Sequence, residues 1–155
     1  MKLLKRGGGK WVFYLEEEEK TLLFALLERY PVMPPVYQPL SRTARGGEPG
    51  TDQRLLEEAL AEHRRENRKH LQQLLKSGHR IRTMASGFRL SLSDTEIEWL
   101  LQMLNDVRVG SWIALGAPED DLCDFELNET TVMHAWAMEM AGYFQSGFLA
   151  ALNHG

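Results

Sequence analysis

From Glu129 to Leu152 the chain runs almost without charge, and wound as a helix it is apolar on two sides. Met133, Trp136, Ala137, Met140, Phe144, Phe148 and Ala151 form the main stripe. Ala135, Gly142 and Ser146, with Glu139 among them, form the other. A helix apolar on both sides is stable only where neighbours cover it, so this segment is expected at the centre of the fold. Asn128 supplies its N-cap. His134, Glu139 and Gln145 would be expensive in lipid, so Val132–Leu152 reads as a core helix and not as a membrane span.

The elements before it follow from local chemistry. Gly7-Gly8-Gly9-Lys10 forms a turn between Leu3–Leu4 and the aromatic, β-branched run Trp11-Val12-Phe13-Tyr14, which predicts a hairpin. Glu16–Glu19 crowd the first turn of a helix whose apolar face is Leu22, Leu23, Leu26 and Leu27, and Pro31 ends it. A second helix is expected from Thr51 or Asp52 to about Ser77, with Gly78 as its stop. Leu56, Leu60, His63, Asn67, Leu71 and Leu74 share one face of it, so His63 and Asn67 interrupt an apolar seam. Phe88–Leu92 alternates and reads as a short strand able to join the hairpin. Ser93-Asp94-Thr95-Glu96 is a capping box that opens a helix over 94–115, and Gly116 and Pro118 close it.

Charge is segregated along the chain. Residues 91–155 carry Asp94, Glu96, Glu98, Asp106, Glu119, Asp120, Asp121, Asp124, Glu126, Glu129 and Glu139 against one cation, Arg108. The stretch 41–90 is basic, and the whole chain is only −4. Such a partition serves pairing within the molecule or with a charged partner. Ile97, Leu101, Leu104, Arg108 and Leu115 fall within one narrow arc of the 94–115 helix, which predicts a buried Arg108. A buried guanidinium needs a carboxylate, and Asp120, Asp121 or Asp124 from the following loop would supply it. Asn105, Arg108 and Trp112 share a face, so the same residues could instead bind an anion or a peptide.

The remaining chemistry is sparse. Arg64, Arg65, Arg68 and Lys69 make a basic patch, but Glu62 and Glu66 neutralise part of it and no nucleic-acid-binding motif accompanies it. Glu119-Asp120-Asp121 lacks the ligand spacing and turn glycine of a calcium loop. Cys123 is the single cysteine, its acidic neighbours disfavour the thiolate, and a Cys-rich zinc site is excluded. The histidines show no metal-binding spacing, and no phosphate-cradling or nucleophile motif is present, so no cofactor or metal is expected. The N-terminus has cations but no apolar stretch that would make a signal peptide, which points to the cytoplasm.

Trp99-Leu100, Leu104-Asn105-Asp106-Val107-Arg108, Leu115-Gly116, Glu119-Asp120-Asp121, Trp136, Gln145 and Leu149–Leu152, in that order, resemble a bacterial family common in actinobacteria, the domain-of-unknown-function family numbered 2017. The resemblance covers most of the chain apart from 31–51. It implies no activity that can be carried over residue by residue. Genes of that family tend to lie beside the gene for the adaptor of the Clp protease, and some members are labelled regulators, which favours protein–protein work.

Together these readings predict one domain over 1–155, interrupted by a proline- and glycine-rich loop at 31–51. The expected fold is mainly α: a helical bundle of about four main helices with a small N-terminal antiparallel β element. The expected function is a non-enzymatic protein-interaction or regulatory module with a protein partner, which could be a second copy in a homodimer. One rival is a small-molecule or metal-dependent enzyme using Arg108 and the 119–124 carboxylates. The other is a nucleic-acid-binding transcriptional regulator using Arg64, Arg65, Arg68 and Lys69.

Overall fold

A computed structural model describes residues 1–32, 51–78, 80–117 and 128–153, with only the backbone at 51–53. Nearly all of the 31–51 loop and all of Glu119, Asp120, Asp121, Cys123, Asp124 and Glu126 lie outside the described residues.

Strands β1 (Lys2–Gly7) and β2 (Lys10–Leu15) form the expected hairpin. Its two-residue turn is Gly8-Gly9, at φ +60° and +68°, a left-handed pair that suits glycine and matches the twist of the flanking strands. The β element is larger than the sequence suggests. β2 also pairs antiparallel with β4 (Phe88–Ser93), and β4 pairs with the short β3 (Ile81–Thr83), giving a four-stranded sheet in the order β1-β2-β4-β3. The alternation of β2 and β4 buries Trp11, Phe13, Leu15, Leu90 and Leu92 on one face. Helix α1 (Glu17–Glu28) starts with Glu19 accepting from the Glu16 amide at 3.0 Å, and it buries Leu23, Leu26 and Leu27.

Helices α3 (Asp94–Ala114) and α4 (Glu129–Asn153) are the main pair packed beneath that sheet. The predicted capping box is present: Glu96 N donates to Ser93 Oγ at 3.2 Å, and Ser93 N donates to Glu96 at 2.7 Å. The phase of α3 differs from the expected one. Its buried arc is Ile97, Leu100, Met103, Leu104, Val107, Gly110 and Ser111, so Leu101 is half-buried and Arg108 is exposed. Arg108 follows Val107 by one residue, about 100° around the helix, and that rotation carries it out of the core.

α4 buries Ala137, Ala141, Phe144 and Phe148, with Phe148 set edge-on to Phe13 at 5.0 Å between ring centroids. Away from that stripe Glu139, Tyr143, Ser146 and Leu149 are exposed, and Met133, expected on the buried stripe, is exposed near the start of the helix. Helix α2 (Thr51–Lys76) likewise enters the core only through its C-terminal half, by Asn67, Leu71 and Leu74. Its upstream Leu55, Leu56 and Leu60 are exposed. No helix among the described residues is long and apolar enough to cross a membrane.

Candidate functional site

Among the described residues, concave regions border α3 on its α2 side and on its α4 side, and they divide the residues that the sequence places on one face. Asn105 and Asp106 border a cleft against α2, with Leu60, His63 and Arg64 opposite. Arg108 and Trp112 border a larger groove of about 1050 Å³ against α4.

The α2–α3 side is built on a polar bridge. Trp99 Nε1 donates to Asn67 Oδ1 at 2.8 Å, and Asn67 Nδ2 donates to the Tyr30 hydroxyl at 3.4 Å. The Tyr30 hydroxyl also lies near the Asp106 carboxyl. Asn67 and Tyr30 are almost fully buried. Burial pushes the Tyr30 phenol up, with Asp106 adding to the rise. Asp106 is exposed as a residue, but its carboxyl faces Tyr30. Desolvation there raises its pKa, while Arg64, His63 and the Tyr30 hydrogen bond pull the other way. Of the basic patch, Arg64 therefore lies beside an acid of the C-terminal part, and Arg65 pairs with Glu62 at 2.9 Å; Arg68 and Lys69 are exposed. Further along, Arg80 pairs with Glu96 at 2.7 Å, and His70 meets the Trp99 ring edge-on.

A carboxyl whose pKa is raised by folding favours the fold most at low pH and loses that contribution as pH rises from its unfolded value through its folded one. Asp106→Asn should therefore raise the melting temperature at neutral pH, with the gain shrinking as the pH falls through the raised folded value towards the ordinary carboxylate value and gone below it. A lower melting temperature at neutral pH would mean that Arg64 and His63 outweigh the desolvation of Asp106.

The α3–α4 groove has a different character. Val109 and Trp112 of α3 are each 40 % exposed, and Tyr143 of α4 is 50 % exposed. Gly142, Ser146 and Gly147 also line it. Glu19 of α1 accepts from the Tyr143 hydroxyl at 2.7 Å and from the Met1 amine, which ties Tyr143 down from behind. Arg108 and Glu139 both border the groove, and neither forms an ion pair with a described residue or with the other. The expected burial of Arg108 is thus corrected, since the residue is exposed; its expected partners Asp120, Asp121 and Asp124 lie outside the described residues. Arg108→Glu should change the unfolding free energy by no more than about 0.5 kcal/mol, as a surface substitution does. A loss of several kcal/mol in urea denaturation would restore a structural role for Arg108.

Composition decides what each region can do. Trp, Tyr and Arg are the side chains that most often dominate binding energy at protein interfaces, and all three border the α3–α4 groove. Among the described residues no cluster of His, Cys, Asp or Glu is arranged to hold a metal ion. Tyr143 and Tyr30 are the functional candidates that sequence reasoning missed; both stand next to apolar stripes and belong to no motif that would single them out. No protein-family model, curated protein or solved structure matches this chain.

Proposed function

We propose that this chain is a non-enzymatic protein-interaction module of the cytoplasm that docks a protein in the α3–α4 groove. The observation that carries this reading is the exposure of Trp112, Tyr143 and Val109 around one groove, with Arg108 at its border. A lone exposed aromatic residue is ordinary, whereas a tryptophan and a tyrosine facing one concavity beside an arginine have the composition of a binding hot spot. The resemblance to the bacterial family of unknown function, with its regulator-labelled members, agrees with a regulatory role. Nucleic-acid binding gains less support, because Arg64 and Arg65 have acidic neighbours in Asp106 and Glu62.

The test is quantitative binding of whatever a tagged wild-type bait retains from the lysate of its own cells. Trp112→Ala should weaken that complex by at least about 30-fold, the scale of a hot spot of 2 kcal/mol, and leave the melting temperature of the bait within a few degrees of wild type. Undiminished binding by a folded Trp112→Ala, Tyr143→Ala double variant would contradict the proposal.

A further inference from the structure

Resting on the reading of the α3–α4 groove as a docking surface, we infer that its occupant is a second copy of this chain, related by a two-fold axis that sets Arg108 of each protomer against Glu139 of the other. The groove is bordered by one cation and one anion that do not pair with each other or with any described residue. Such a surface is complementary to itself. A two-fold axis through it brings each charge to its opposite twice over, because in an isologous contact residue i meets j and j meets i.

The charge partition makes this arrangement selective. Arg108 is the one cation between Ser91 and Gly155, and Glu139 is the one acid among the described residues that line the groove, so a contact that set Glu139 against Glu139 would place like charges together. Placing that single cation where the two copies meet turns the repulsion into a registry device. Gly142 supplies a second, independent observation. It lies inside α4, where glycine is a poor helix former, yet a Cβ built there meets nothing within 4 Å. Packing within the chain therefore does not require a glycine at 142, and the open space beside it leaves room for another backbone to approach across the groove. Gly147 differs, since a Cβ there would strike the Met1 side chain of the same chain.

Sedimentation velocity over a concentration series tests the inference with the full chain. Wild type should show a monomer–dimer equilibrium. Arg108→Glu and Glu139→Arg should each weaken the dimer by at least ~10-fold, since each sets like charges opposite each other. The double variant should return to within about threefold of wild type, because the swapped pair is again complementary. Gly142→Leu should be monomeric with its helical circular dichroism intact, which checks the geometry without touching charge. A wild-type monomer at every concentration overturns the inference. So does a dimer indifferent to the charge reversals and to Gly142→Leu. If wild type is monomeric while Trp112→Ala still abolishes capture of a different protein, the second copy is refuted and the groove remains a docking site. If Trp112→Ala also leaves capture unchanged, both readings fall.

Discussion

Phe148→Ala should remove about 3–5 kcal/mol from the unfolding free energy, the largest effect expected of any single substitution considered for this chain. Phe148 is fully buried and meets Phe13 edge-on, so its ring joins α4 to β2, one of the two inner strands of the sheet. Both the transfer of the ring from water and the cavity left between sheet and helix contribute to the loss. Urea denaturation measures it directly. A loss below about 1 kcal/mol would mean that the site collapses around the missing ring or that α4 does not sit under β2.

Asn67→Ala should be the most damaging polar substitution, at about 2–4 kcal/mol, because it orphans two partners at once. The Trp99 indole N–H loses its acceptor and the Tyr30 hydroxyl loses its donor, both in a region where water does not replace them fully. Asn67→Leu should not recover the loss, since it adds apolar volume but satisfies neither group. Combining Asn67→Ala with Tyr30→Phe should cost less than the two added separately, because one hydrogen bond is counted in both. Strict additivity would show that the bridge does not act as a unit.

The parts of the fold that were legible in the sequence are those set by local chemistry. The Gly8-Gly9 turn, the Ser93–Glu96 capping box and the boundaries of α3 and α4 each depend on a few adjacent residues whose backbone groups need particular partners. β3 was not legible, because Ile81-Arg82-Thr83 is too short to show alternation and acquires its role only by pairing with β4. The phase of α3 was misjudged for a similar reason. Leu100, Leu101, Met103, Leu104 and Val107 offer two overlapping apolar arcs, and only the position of α4 decides which one is buried. Choosing the other arc placed Arg108 inside.

The two-sided apolar pattern of α4 was visible in the sequence, but its meaning was not. One side of the helix is covered by the sheet, α1 and α3, while the other opens on the groove. His63 and Asn67 in the α2 seam were the better signal for the polar bridge, since an amide on an apolar stripe needs partners. Tyr30 and Trp99, which provide them, lie 37 and 32 residues away along the chain, and only the tertiary fold brings them to Asn67.

Hydroxyl-radical footprinting, with and without association, tests the docking claim most directly, because it reads the groove side chains themselves. Trp112 and Tyr143 should lose reactivity on complex formation, whereas Met84, exposed just beyond β3, should oxidise at an unchanged rate. Unchanged reactivity at Trp112 and Tyr143, with protection appearing instead on Leu55, Leu56 and Leu60 of α2, would contradict it.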